Sequence, residues 1–336
     1  MILITGATGL LGSHLLYYLL KENTNNHIRA TYRSEAKKAE VSKLFQYLNK
    51  IEGNNVSLEK VEWVQCDLNS VYELDKVIEK CTHVYHCAAK VSFYKSDYQD
   101  CLKYNVQMTR NVVNSCINHQ IKKLAYVSST AAVGSKEKGL TTEKDLWKLT
   151  KVTSGYSISK YKAELEVWRG ISEGLNAVIL NPCVILGAGN WNTSSLKIFK
   201  TLSKGLKFYT PGTNAIVDAR DASKSLMFLM SSELTAQRFL AIGANISYLE
   251  LFQKCSHAMN VKSPKYCAPF LLAKTLAYFT DFFQFFKKNK SGISIEMVNS
   301  TYKSVQYDAS KLMHVLPFKF HSLEQTIQYS IHGRIH

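Results

Sequence analysis

The sequence lacks every short spacing by which cysteine marks a metal or redox site. Its eight cysteines stand at 66, 81, 87, 101, 116, 183, 255 and 267, and no two of them form Cys-x-x-Cys. No metal is therefore expected. A disulfide framework staples small secreted chains, and a chain of 336 residues has length enough for a large core instead. The cysteines are read as reduced core residues. No run of about 20 apolar residues occurs, so no spanning helix is expected. The opening Met1-Ile2-Leu3-Ile4-Thr5 is stopped by Gly6, too short and without the basic start of a signal peptide, which makes the cytoplasm the expected address. Basic residues are in excess, giving a net charge of +16, yet they form no dense run. Such a charge attracts anions, but its dispersal reads as a solvated surface, and no nucleic-acid partner is expected. Repeats, linkers and low-complexity tracts are absent as well. The hydrophobic share of 46% and charged share of 20% are those of an ordinary globular protein.

What is present is a rhythm. Short apolar runs at 2–5, 28–32, 61–66, 83–87, 124–128 and 177–180 predict strands. Helical patterns at 10–20, 36–50, 71–80, 98–119 and 157–170 separate them. This alternation predicts a parallel sheet with right-handed crossovers and helices on both faces. Beyond Pro182 the rhythm loosens. Residues 1–185, with a return segment at about 213–245, are expected to form the α/β domain. Residues 186–212 and 246–336 are expected to form a smaller capping region that holds the substrate.

The first strand leads into Thr5-Gly6-Ala7-Thr8-Gly9-Leu10-Leu11-Gly12. Glycines spaced Gly-x-x-Gly-x-x-Gly between a strand and an apolar helix suit a tight turn, a close approach to a pyrophosphate and close helix–strand packing. The helix N-terminus adds unpaired amides and the positive end of its dipole. Strand two of a dinucleotide fold usually ends in a carboxylate that holds the ribose 2′-hydroxyl. Here it ends in Tyr32-Arg33-Ser34, with Lys37 and Lys38 beyond. A guanidinium suits a 2′-phosphate, so NADP(H) is expected over NAD(H). Asp67, ahead of Leu68, has two readings: an acceptor for the adenine amino group, or a cap for the helix beginning near Ser70.

Tyr156 and Lys160 stand at i and i+4 and share a helix face. An ammonium beside a phenol favours the phenolate and lowers its pKa, which makes the pair a candidate proton donor and acceptor at a carbonyl. Strand five ends in Val127-Ser128-Ser129-Thr130, three hydroxyls at the sheet edge where open α/β folds bind ligands.

These segments together resemble the extended short-chain dehydrogenase/reductase superfamily. The resemblance runs from Ile2 to about Ile331 and rests on the glycine turn, Cys87-Ala88-Ala89, Asn105, Val127 to Thr130 and Tyr156 to Lys160. It implies that Tyr156 is the acid/base and that Lys160 lowers its pKa and holds the nicotinamide ribose. It implies that Thr130, or Ser129 one register back, binds the substrate oxygen, and that Asn105 holds a helix bulge and a relay water. It places Gly6, Thr8, Gly9, Leu10, Leu11, Gly12, Arg33, Lys37, Asp67, Leu68, Ala88, Ala89, Lys160, Pro182 and Val184 at the cofactor. Within the superfamily, Asn181-Pro182-Cys183-Val184-Ile185-Leu186-Gly187 is similar to a run in dihydroflavonol reductases and 3β-hydroxysteroid dehydrogenases, with Asn181 for the usual arginine. Asn214-Ala215 stands where sugar-nucleotide enzymes commonly have Arg-Asp. Arg220 is expected to act elsewhere or to pair with Asp221. The implied activity is hydride transfer between NADP(H) and a carbonyl/alcohol pair on a small, largely apolar substrate, with Val91, Phe93, Tyr94, Trp191 and Phe199 as candidate pocket residues. The rival readings are a sugar-nucleotide epimerase or dehydratase and a non-catalytic NADP-binding regulator. A homodimer is open. Phe270 to Phe286 hold seven aromatics, followed by Lys287, Lys288 and Lys290. The segment is expected to pack over the substrate region; the other reading of 270–290 is peripheral contact with a membrane.

Overall fold

The computed structural model describes residues 1–22, 27–284 and 292–335. Six strands follow the predicted rhythm: β1 (Ile2–Thr5), β2 (Ile28–Tyr32), β3 (Val61–Gln65), β4 (His83–His86), β5 (Lys123–Val127) and β6 (Ala177–Pro182). A seventh, Gln237–Ala241, joins β6, and the order across the sheet is Gln237–Ala241, β6, β5, β4, β1, β2, β3. Every pairing is parallel. The chain therefore reverses its direction of travel across the sheet at β1, and a crevice opens between the carboxyl ends of β1 and β4.

Covered faces explain the strand sequences. β1 and β6 are buried along their whole length, as parallel strands under helices must be. Alternate residues serve opposite faces. Ile2, Ile4, Val178 and Leu180 join the core beneath the helices Leu10–Lys21 and Ala219–Ser231. Leu3, Ala177 and Ile179 join the core beneath Val71–Ile78, Met108–Asn118 and Gly155–Ser172. A third core, with Leu186, Trp191, Phe199, Ile216, Leu251 and Ile327, fills the capping side.

Three small sheets complete that side. Val184–Leu186 and Ala244–Ser247 flank Thr213–Asp218, Phe208–Tyr209 pairs with Tyr266–Cys267, and Gly189–Asn190 pairs with Arg334–Ile335. The last pairing lies beside a second long-range tie: buried His14, on the first helix, meets the Tyr329 phenol at 2.7 Å. The two-residue strands have no periodicity for a sequence pattern to register.

The helix expected over 98–119 is broken. Tyr98–Cys101 gives way to a π-helical turn at Leu102–Gln107 before Met108–Asn118 resumes. All eight cysteines are free thiols, and six are buried; Cys267 is exposed, against the expectation of core filling. Among the described residues no helix is long and apolar enough to cross a membrane. Phe285, Phe286, Lys287, Lys288 and Lys290 lie outside the described residues.

Candidate active site

The glycine turn is built by exclusion. Gly6 sits at φ +70°, and a Cβ there would lie 2.6 Å from the Ala88 nitrogen. A Cβ on Gly12 would fall 2.2 Å from the Gly6 carbonyl oxygen. Gly9 donates its N–H to that same oxygen at 2.9 Å. The first helix then starts at Leu10 with no side-chain cap on Gly9. The first amides of any helix lack intrahelical partners, and here they stand where Thr8, Gly9, Leu10, Leu11 and Gly12 line a cleft of about 2880 Å³. This cradle fits a pyrophosphate, and no side chain fills it. Gly12→Ala must push backbone apart. It is expected to weaken binding of the nicotinamide dinucleotide by about tenfold or more and to cost roughly 1–3 kcal/mol of stability, measured by fluorescence titration and denaturant unfolding.

Arg33 and Lys37 both line the cleft at the end of β2. Arg33 makes no ion pair among the described residues and lies 5.3 Å from the Tyr104 ring. Lys37 is partly committed, since its ammonium pairs with Glu40 at 2.9 Å. Leu68, Ala88, Ala89, Pro182 and Val184 line the same cleft. Asp67 does not. Its carboxylate accepts from the Asn69 backbone and side chain, both at 3.0 Å, which holds its pKa below the usual carboxylate range. The helix cap belongs to Ser70, whose side chain accepts from the Glu73 N–H. A short turn holds the Asp67 Oδ1 on Asn69.

Tyr156 and Lys160 lie on one face of the helix Gly155–Ser172, and both line the cleft. Ser157 fastens this helix to the sheet edge by donating to the Ala131 carbonyl at 2.7 Å. The lysine does not meet the tyrosine. Its ammonium donates to the Tyr126 phenol at 2.8 Å and to the Val127 carbonyl at 2.9 Å, and burial pushes its pKa down to about 7. Burial likewise raises the Tyr156 phenol, opposed by the Ser129 hydroxyl that faces it. The expected lowering of Tyr156 by Lys160 is thus reversed here: desolvation outweighs an ammonium turned back towards β5. Thr130 also lines the cleft. Its hydroxyl faces the Tyr307 phenol, while burial raises that phenol to about 12. Of the two candidate hydroxyls, Ser129 is the one set against Tyr156.

Asn105 lies behind the cleft wall, inside the π-helical turn. It accepts from the Lys90 N–H at 2.7 Å and donates to the Lys90 carbonyl at 3.0 Å and to Ser159 at 2.8 Å. Ser159 donates in turn to the Tyr156 carbonyl. The wide turn lets one side chain brace both the loop after β4 and the Tyr156 helix, a common use of such bulges.

Two groups escaped the sequence reading. Glu164 follows Lys160 by one helical turn and is buried beneath the site. It accepts from Ser128 at 2.6 Å, Asn181 at 2.7 Å, Arg238 at 2.9 Å and Trp168 at 3.2 Å. The i, i+4, i+8 spacing of Tyr156, Lys160 and Glu164 was the available signal. The second group is His86, stacked on Tyr126 at 5.5 Å and held between Thr5 and Thr109. Burial lowers its pKa to about 3, so it is a neutral spacer behind Lys160.

The pocket aromatics divide. Phe93 sits 5.6 Å from the Tyr156 ring, and Val91 and Tyr94 also line the cleft. Trp191 and Phe199 are core residues stacked on each other at 5.3 Å, and neither lines it. Asn181 is wholly buried and donates to the Ser129 carbonyl as well as to Glu164. Asn214 lines the cleft and meets Tyr248. Arg220 pairs with Asp218 at 2.7 Å and lies over the Tyr329 ring, while Asp221 takes His321; of its two expected roles, Arg220 acts elsewhere rather than pairing with Asp221.

A parallel sheet with this strand order, a glycine cradle at its switch point and a tyrosine and lysine on one helix face defines a nicotinamide-dinucleotide-dependent enzyme of the Rossmann type. The chain belongs to the NAD dependent epimerase/dehydratase family, which it matches over residues 2–222. It is similar to a protein of Synechocystis sp. described as a dihydroflavonol 4-reductase, at 24% identity over 98% of this chain and 93% of the other. It is also similar to cinnamoyl-CoA reductase 1 of Petunia hybrida, at 26% identity over 70% and 71% of the two chains. The fold matches that of a nucleoside-diphosphate-sugar epimerase from Pseudomonas aeruginosa with a TM-score of 0.74, at 17% identity over 99% and 96% of the two chains. At family level the protein is an oxidoreductase or epimerase.

Proposed function

We propose that the protein interconverts a ketone or aldehyde and its alcohol on a small, largely apolar molecule, using NADP(H). The observation that carries this reading is the Tyr156 phenol, protonated by burial, set between the Ser129 hydroxyl and the Phe93 ring. The cofactor would be held by the glycine turn at its pyrophosphate, by Arg33 at the 2′-phosphate and by Lys160 at the nicotinamide ribose. When bound it supplies or takes up the hydride. Ser129 donates to the substrate oxygen and fixes its place. In the reducing direction Tyr156 gives its O–H proton to that oxygen, and a phenol with a raised pKa holds this proton at neutral pH. Phe93 covers one side and excludes water. Asn105 positions the helix through Ser159.

The apolar substrate class is supported by Val91, Phe93, Ile293 and Met297 on the cleft wall, and by Asn214 on that wall, where sugar-nucleotide enzymes commonly have arginine. The names of the two relatives point the same way. One observation favours the epimerase reading: Lys197, Lys200 and Lys204 also line the cleft and suit a diphosphate. A panel of carbonyls and alcohols followed by cofactor absorbance tests the first reading. Calorimetric titration with UDP-sugars tests the second, and micromolar binding would replace the first with it. NADPH is expected to bind about tenfold or more tightly than NADH, and Arg33→Ala to narrow that gap by one charge-assisted contact, about 1.5–3 kcal/mol. Equal affinities in the unaltered protein would sink the assignment of the 2′-phosphate to Arg33.

A further inference from the structure

The helix Phe270–Gln284 is built inside out. A surface helix ordinarily turns its large apolar side chains inward and its small or polar ones to water. Here the inward side carries Ala277, wholly buried, with Thr280 and Asp281 beside it. Thr280 donates to the Ile293 carbonyl, and Asp281 accepts from the Ile295 N–H at 3.0 Å. The outward side carries Leu271, 72% exposed, Leu272 and Phe279, each 66% exposed, and Leu276, 52% exposed. Leu272, Leu276 and Phe279 stand at i, i+4 and i+7, one above another.

The apolar face continues past the helix. Phe270 meets the edge of Tyr302 at 5.1 Å. The neighbouring strands Phe208–Tyr209 and Tyr266–Cys267 expose Phe208 and Tyr266, with rings 5.8 Å apart. Large apolar side chains exposed together in this way mark a contact surface.

Charge says what the contact is. Lys207, Lys262 and Lys265 are exposed beside the strands Phe208–Tyr209 and Tyr266–Cys267, and none makes an ion pair among the described residues. The nearby carboxylates point inward, Asp281 to Ile295 and Glu296 to the Gly155 N–H. A second copy of the chain would bring its own +16 against this surface. An anionic bilayer offers the complement of both features: apolar depth for the leucines and Phe279, and negative headgroups for the lysines.

We propose that this face docks on the surface of an anionic lipid bilayer, with the helix lying in the interface. The inference stands apart from the catalytic reading, since no step of the chemistry enters it.

The test is co-sedimentation of the full chain with vesicles of phosphatidylcholine alone and of phosphatidylcholine mixed with phosphatidylserine. The chain is expected to pellet with the mixed vesicles, and less so as salt is raised. Leu272→Ser combined with Phe279→Ser touches no cleft residue. It is expected to weaken pelleting by about tenfold or more, through loss of two apolar groups from the interface. An unchanged thermal midpoint shows that this variant is folded. A chain that stays in the supernatant with mixed vesicles overturns the proposal, and so does a variant that pellets like its parent. Dimers seen by light scattering and dispersed by the double substitution also overturn it, because the face would then join two copies of the chain.

Discussion

Tyr156→Phe is expected to lower turnover by about 10²–10⁴-fold while NADPH binding stays nearly unchanged. The substitution removes one oxygen and keeps the ring that packs 5.6 Å from Phe93. Because Lys160 is held by Tyr126 and Val127 rather than by Tyr156, the loss of the phenol leaves the lysine in place. The effect therefore falls on kcat and spares the cofactor. Steady-state kinetics on an identified carbonyl substrate, beside a fluorescence titration with NADPH, separate the two. A variant that keeps most of its kcat would remove Tyr156 from the chemistry.

Glu164→Ala is expected to cost about 3–5 kcal/mol of stability, the penalty for stripping one partner from a buried ion pair. Its carboxylate is 2% exposed and joins four donors from four segments: Ser128 after β5, Asn181 on β6, Arg238 on the edge strand and Trp168 on its own helix. Truncation leaves the Arg238 guanidinium without its carboxylate and Asn181 without one of its two acceptors. Asn181 also donates to the Ser129 carbonyl, so the loss reaches the hydroxyl beside Tyr156. Denaturant unfolding measures the first effect. A loss below about 1 kcal/mol, the range of exposed ion pairs, would show that the network does not hold these segments together.

The sheet was legible chiefly where its strands are buried along their whole length, as β1 and β6 are, and open on apolar runs. Ile2–Thr5 and Ile28–Tyr32 match their predicted bounds. The seventh strand hid because Gln237-Arg238-Phe239-Leu240-Ala241 begins with two polar residues, one of them spent on Glu164. The break in the 98–119 helix left no trace in periodicity, since a π turn adds one residue to a pattern that already drifts. The resemblance alone pointed to that bulge through Asn105, which does lie in the turn. The site was legible at the level of segments and not of rotamers. Spacing put Tyr156 and Lys160 on one face, yet it could not say that the lysine would turn to Tyr126, nor which of Ser129 and Thr130 would face the phenol. Trp191 and Phe199 show the opposite error: an aromatic in a loop-rich stretch is as useful to a core as to a pocket, and hydropathy does not separate the two.

The bond between His14 and Tyr329 has a consequence for the order in which the chain is made. His14 is buried and donates through its other ring nitrogen to the Leu10 carbonyl, in the first turn of the helix that follows the glycine cradle. Its partner lies 315 positions later, and the Gly189–Asn190 strand likewise waits for Arg334–Ile335. A ribosome releases the first helix and most of the sheet long before it releases Tyr329. During that interval the imidazole has no partner for one nitrogen, and the flank of the first helix stands open. Closing so long a loop costs little more than closing a shorter one, because the entropy grows only with the logarithm of its length. The delay is in time rather than in free energy. A nascent chain halted before Tyr329 would have the cradle, the sheet and the helix Ala219–Ser231 that packs on the first helix, but not the phenol that meets His14.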